Sequence, residues 1–276
     1  MEAESTISQM DKPVQSLKSI ELEEKRLEKV TGIDDYKMIH ERHRIFPGAF
    51  ENRQHKKILD IAAGVGVAAE RVHKFYDGEI TCNDISPKCL SILNGLGIKT
   101  ISFNIDSENE RFPLQDKEYD AIICLSTIEH LYNIDHFITE IRRVLSPSGY
   151  LYISAPNYNG LGYLLQLLRT GRTFHNPMNE HDRYEFYAHL RYFTYHTLLD
   201  YIGSFGFTPE SVYLGLPEGS TKFLKLKERS VFKAFIIRNV MRTLYTFFSP
   251  RWCTEPVLCF KKSSQPETLK PRKVVM

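Results

Sequence analysis

Between residues 56 and 155 the chain alternates short apolar runs with segments of helical spacing, and nothing else in it limits the fold so strongly. The runs are KKILDIA (56–62), EITCNDI (79–85), KTISFNI (99–105), YDAIICLS (119–126) and GYLYISA (149–155). Helical patterns fill 67–76, a stretch opening near Pro87, and 135–145. Proline suits a first helical turn, because its missing N–H would have no partner there. Strands that alternate with helices at this spacing form βαβ units and a parallel sheet. The run at 119–126 is apolar without interruption, as expected of a strand covered on both faces. The expectation is an α/β, doubly wound domain.

The first strand runs into Asp60-Ile-Ala62-Ala-Gly64-Val-Gly66 and then into a helix. Small residues at such a turn let a ligand approach the backbone, and the helix start offers free N–H groups. Asp84 ends the second strand about twenty residues on, where a carboxylate can hold both ribose hydroxyls. Asp106 ends the third strand, placed to accept from an exocyclic amine. Three acidic residues thus end three successive strands, at the sheet edge where open α/β sheets bind ligands.

These segments resemble the class I S-adenosylmethionine-dependent methyltransferases, including their ubiquinone-biosynthesis and glycan-cluster types. Asp60-Ile-Ala62-Ala-Gly64-Val-Gly66 is similar to the family's E/D-x-G-x-G-x-G, with Ala62 in place of the first glycine. NDISP (83–87), FNIDS (103–107), YDAIICLSTIEHL (119–131) and VLSPSGYLYISAPN (144–157) resemble its later motifs in order, and the likeness covers roughly 55–215. It implies a Rossmann-like, doubly wound, seven-stranded sheet, mostly parallel with an antiparallel last strand. It also implies S-adenosyl-L-methionine as cofactor. Asp60, Ala62, Gly64 and Gly66 would line its methionine and ribose part, Asp84 with Ile85 its ribose, Asp106 and Ser107 its adenine, and Leu125 its sulfonium. A nicotinamide-type reading would need G-x-G-x-x-G, and the third glycine falls on Ala69.

Methyl transfer from a sulfonium is a displacement, so the protein must align the reactants and, for a hydroxyl acceptor, remove a proton. Candidate bases lie after the fourth strand, at Glu129-His130, and in Asn179-Glu-His181-Asp-Arg183. His130 and His181 are the catalytic candidates. Local capping and packing is the competing role for Glu129 and His130. The related quinone-biosynthesis enzymes carry E-x-x-E-H here. Ser126 replaces the first carboxylate, which costs a hard cation one ligand, and no metal is expected. HLRYFT (189–194) is similar to an element of glycan-linked methyltransferases that lies over the active site. His189 and Arg191, with Arg183, are candidate substrate contacts, unless the segment only closes the cofactor pocket. Thr194 suits the N-cap of the following helix.

The formal charge of +2 hides an asymmetry. Residues 216–276 hold 13 Lys/Arg against 4 Asp/Glu, a net of +9, which leaves −7 for the first 215. Within this region SVFKAFIIRNVMRTLYTFF (230–248) is amphipathic at helical spacing. Ile237, Val240, Leu244, Phe247 and Phe248 fall together, with Arg238 and Arg242 opposite. A basic amphipathic helix can lie in a membrane interface or pack on its own domain or a second copy. None of the five cysteines forms C-x-x-C, and a reducing cytosol fits. The N-terminus lacks a secretory pattern, and there is no run of about 18 apolar residues.

The expected layout is a disordered lead (1–14), helices over 15–31 and 34–45 within 15–46, and a methyltransferase domain over 47–262. That domain carries an acceptor-side lid (159–193) and a basic amphipathic insertion (216–253). A disordered basic tail (263–276) follows. The expected activity is O-methylation of a small-molecule, glycan or lipid-linked acceptor by a cytoplasmic protein, peripheral at a membrane through 222–251 if the insertion docks there, with a homodimer compatible. SAPNY (154–158) is not the N-P-P-Y of amino-group nucleic-acid methyltransferases, which belongs after the fourth strand, and this argues against a nucleic-acid acceptor. The alternatives are an RNA or protein methyltransferase docking through the basic end, and a non-catalytic partner of the same fold.

Overall fold

The computed structural model describes residues 27–172, 178, 188–264 and 270–276. The lead over 1–14 and most of the helix expected over 15–31 lie outside these residues. The expected α/β architecture is present. Its strands are β1 (Lys57–Ile61), β2 (Glu79–Asn83), β3 (Lys99–Ile101), β4 (Tyr119–Leu125), β5 (Leu145–Ser154), β6 (Phe207–Leu214), β7 (Val257–Lys262) and β8 (Arg272–Val275). They form one sheet in the order β3-β2-β1-β4-β5-β7-β6-β8. β1 pairs in parallel with both β2 and β4, and β7 runs antiparallel to its neighbours β5 and β6.

Alternate residues of the central strands feed two cores, as the two-residue period of a strand requires. Leu59, Ile61, Ile122, Cys124, Leu151 and Ile153 pack on one face, beneath helices α4 (Ile134–Val144) and α6 (Tyr195–Gly203). Ile58, Ile80, Cys82, Ala121, Ile123 and Tyr152 pack on the other with α2 (Val67–Phe75) and α3 (Pro87–Gly95). Helix α5 (Leu161–Thr170) follows β5. Between β6 and β7 stand α7 (Thr221–Arg229), α8 (Val231–Phe247) and a 3₁₀ turn at Pro250–Trp252.

The sheet departs from the expected seven strands. Residues 272–275 form β8, parallel to β6, where the sequence predicts a disordered tail. Arg272 reaches Glu51 at 2.6 Å, and Met276 exchanges backbone bonds with Leu214 and Leu216. Gly48 leaves room for Met276, because a Cβ there would stand 2.7 Å from its Cε. In Arg-Lys-Val-Val only the two valines favour a strand, too short a signal to stand out, and the pairing is wholly non-local.

The helix expected over 34–45 is also shorter. It is a single turn, α1 (Glu41–Arg44), after a 3₁₀ turn at Ile33–Asp35. Tertiary bonds outweigh helix propensity here. Ile39 bonds Thr221, and the Glu41 carboxylate accepts from the N–H groups of Glu218, Gly219 and Ser220.

Candidate functional site

Order reverses at β1, which has β2 on one side and β4 on the other; in open α/β sheets such a switch point, at the C-terminal strand ends, is where ligands bind. The Asp60–Gly66 turn lies at this point. Gly64 has φ of 57°, and a Cβ on it would meet no heavy atom within 4 Å, so its face is open to a ligand. Gly66 has φ of 83°, and a Cβ there would collide with Leu93 at 2.4 Å. It is required for packing α2 against α3. Ala62, in place of the family's glycine, also takes a positive φ, 53°. The methyl group is accommodated in the left-handed region at a cost of about 1–2 kcal/mol.

Asp84 organises this turn. Its Oδ2 accepts from Gly64 N–H at 2.8 Å and its Oδ1 from Ser86 N–H at 2.9 Å. A carboxylate offers about four lone-pair sites, which is the chemistry that holds a ribose hydroxyl. Ile85, the next residue, is exposed and offers an apolar edge. Asp60 is buried at the end of β1, and burial together with the charge of Asp84 pushes its carboxyl up to about 8. Asp60 is therefore protonated at neutral pH.

Asp106, expected to meet an adenine amine, also has backbone partners. Its carboxylate accepts from the N–H groups of Tyr132 (2.9 Å) and Asn133 (2.8 Å) and so ties the third strand's exit to the start of α4. Ser107 Oγ accepts from Glu110 N–H at 3.0 Å. Leu125 ends β4, half-buried, and Ser126 follows with φ of 50°.

The turn after β4 carries the candidate reactive side chains. Glu129 is fully buried, and its Oε1 lies 3.8 Å from His130 Nε2. His130 Nδ1 lies 3.0 Å from the carbonyl of Ala188. A carbonyl can only accept, so Nδ1 donates there, and in the neutral ring Nε2 carries the lone pair. His189 stacks edge-on against His130 with ring centroids 4.7 Å apart, and its Nδ1 lies 2.8 Å from Tyr158 Oη. Glu129, His130 and His189 place ligand atoms within 4.8 Å of one another, a set that could hold a metal ion. The sequence expectation of no metal counted Ser126, Glu129 and His130 and did not bring His189 to this turn.

The segment bearing His189 is strapped onto the turn. Leu190 and Arg191 N–H groups donate to Glu129 O, and the Arg191 guanidinium bonds the carbonyls of Leu131 and Tyr132. Arg191, expected to meet substrate, thus spends donors on holding the strap. Thr194 caps α6, as expected, accepting from Thr197 N–H. His181 and Arg183 lie outside the described residues.

Sequence reasoning missed Asn157. It is buried after β5, and its Nδ2 donates to the carbonyls of Arg251 (2.8 Å) and Cys253 (2.6 Å) while Oδ1 accepts from Tyr195 N–H (2.8 Å). One side chain joins β5, the end of the insertion and α6. Its place in the SAPN stretch was the only available signal.

Among known proteins, ubiquinone biosynthesis O-methyltransferase of Hydrogenovibrio crunogenus is 27% identical over 121 residues, covering 43% of this chain and 50% of that protein. Demethylmenaquinone methyltransferase of Tropheryma whipplei is 30% identical over 98 residues, 36% of this chain and 41% of that one. The chain thus spans about half the length of the curated relatives it matches. Among solved structures, an S-adenosylmethionine-dependent methyltransferase of Archaeoglobus fulgidus has TM-score 0.53 at 16% identity, covering 80% of this chain and 92% of that one. One from Thermotoga maritima, described as a possible histamine N-methyltransferase, also has TM-score 0.53, at 14% identity over 80% and 91%. These two show the same fold. The model of the family described as "Methyltransferase domain" matches residues 30–212, about two thirds of the chain, which therefore belongs to that family.

Proposed function

We propose that the protein transfers a methyl group from S-adenosylmethionine to a hydroxyl of a small-molecule acceptor, with His130 as the general base. The supporting observation is the His130 environment: Nδ1 is tied to a carbonyl, Nε2 is basic, and the buried Glu129 carboxylate is 3.8 Å away. A neighbouring buried carboxylate favours the imidazolium formed when the base takes a proton. Bound S-adenosylmethionine supplies an electrophilic methyl on a sulfonium. Gly64 gives it an open backbone face, Asp84 holds the ribose while keeping Gly64 in place, and Ile85 offers an apolar edge. His130 and the strap at 188–191 face the acceptor side, where His189 and Tyr158 supply further polar contacts.

Relatives named for ubiquinone and menaquinone biosynthesis support a phenolic or quinone-like, lipid-linked acceptor; a glycan intermediate is the alternative. The Glu129–His130–His189 set supports a second reading, in which a divalent ion held there polarises the acceptor hydroxyl. Calorimetric titration with S-adenosylmethionine and S-adenosylhomocysteine, followed by turnover on phenolic and glycan fractions with and without chelator, tests both. Micromolar cofactor binding with chelator-resistant turnover supports the base. Chelator-sensitive turnover favours the ion. Cofactor binding without turnover on any acceptor would point to a non-catalytic scaffold.

A further inference from the structure

Helix α8 turns an apolar face outward. At 100° per residue its inward side is Ala234, Met241 and Tyr245, of which Ala234 and Tyr245 are buried. Arg238 lies toward the same side, 3.5 Å from Glu218. The opposite side carries Phe232, Ile236, Val240 and Phe247, with Phe235 at its border. Phe232 is 72% exposed, Phe247 78%, Phe235 66% and Val240 59%. This corrects the stripe expected from the sequence, which centred on Ile237 and Leu244. Of the expected stripe, Leu244 packs on the core of its own domain, while Ile237, Val240, Phe247 and Phe248 are exposed. Scattered exposed hydrophobics are ordinary, but several large ones on one face of one helix mark an interaction surface.

The charge around this face is one-sided. Residues 222–251 contain eight Lys/Arg and a single acidic residue, Glu228. Lys225, Lys227 and Arg229 on α7 and Lys233 and Arg242 on α8 are all exposed. No helix among the described residues is long and apolar enough to cross a membrane. Aromatic and aliphatic side chains, interleaved with Asn239, Thr243 and Thr246 and with cations at the margins, are a composition suited to a helix lying in the plane of an anionic bilayer. A nucleic-acid surface would put the cations, not the phenylalanines, at the centre. A two-fold contact with a second copy would bring two sets of these exposed cations together with almost no carboxylates to answer them.

The same insertion is anchored at the candidate site. Its last turn is fixed by Asn157, whose backbone N–H also donates to Thr254 O at 2.8 Å. The next residue is Tyr158, which contacts His189.

We infer that the outward face of α8, with the cations of α7, is a docking surface for an anionic lipid bilayer, and that it presents the acceptor side of the site to an acceptor held in that bilayer. The second clause rests on the methyltransferase reading; the first stands without it. The test uses the full chain and sedimentation with vesicles of phosphatidylcholine containing about one third phosphatidylserine, against pure phosphatidylcholine. The expected result is binding to the anionic vesicles that weakens with salt. The triple variant Phe232→Ser, Ile236→Ser, Phe247→Ser should lose at least about tenfold in affinity, since each exposed apolar side chain enters the interface. S-adenosylhomocysteine binding by this variant should be unchanged. Lys225→Glu with Lys227→Glu should weaken binding to anionic vesicles only. No binding by the intact chain would overturn the inference. So would binding indifferent to the triple variant, or a dimer in solution that the triple variant dissociates, which would assign the face to a second copy. Salt-sensitive RNA binding in place of vesicle binding would assign the cations to nucleic acid. Failure to bind S-adenosylhomocysteine with vesicle binding intact would refute the methyltransferase reading alone.

Discussion

Asp60 makes the stability of the ligand-free protein depend on pH in an unusual direction. Its carboxyl is buried at the end of β1 and titrates near 8, against 3.8 for the free side chain. Burial is the main cause and the charge of Asp84 the second. A folded-state value raised above the unfolded one means that the native state binds the proton more tightly. This stabilisation is complete below about pH 4 and is lost as pH rises through about 8. At about 1.4 kcal/mol for each factor of ten, the loss across that interval is on the order of 3–6 kcal/mol. Asp60→Asn keeps the shape and removes the titration. Urea denaturation of both proteins at intervals from pH 5 to pH 8.5 should show the wild type losing ground steadily to the variant. His55, which burial lowers to about 4, shifts stability the other way at acid pH, but it is common to both proteins and cancels in the difference. A difference that is flat with pH would refute the assignment of a protonated Asp60.

Three further outcomes follow from the geometry. Asp84→Ala removes the acceptor of the Gly64 and Ser86 N–H groups, so calorimetry should show cofactor affinity falling by at least tenfold, at about 1.5–3 kcal/mol for each charge-assisted bond, while circular dichroism shows the fold retained. His130→Asn should lower kcat by about 10²–10⁴ with little change in S-adenosylhomocysteine affinity, and should abolish the acidic limb of the pH–rate profile if the imidazole is the base. Asn157→Ala leaves two buried backbone groups and the part-buried carbonyl of Arg251 without this partner, and thermal unfolding should report a loss of about 2–4 kcal/mol, larger than that from any exposed residue of α8.

Much of the candidate cofactor side was legible in the sequence because it is local. Asp60, Gly64 and Gly66 occur within seven residues, and the alternation of strand and helix places Asp84 at the end of the next strand. The acceptor side was legible only in part. His130 and His189 could each be singled out, but 58 residues separate them, and no periodicity states that their rings meet. Asp106 and Arg191 were recognisable as polar residues of the right region. That both bind the Leu131–Asn133 loop depends on where that loop lies.

The sequence by itself determined the parallel sheet, its order of elements, the glycine turn and the helical insertion, because each follows from spacing along the chain and from the steric needs of a few small residues. Only the tertiary structure decided the eighth strand, the Asn157 joint and the direction in which α8 points its phenylalanines. Those depend on partners tens to hundreds of residues away. β8 exists because β6 presents a free edge and Gly48 leaves space for Met276. The outward face of α8 follows from Ala234 and Tyr245 being the residues small enough or hydrogen-bonded enough to be buried against the domain.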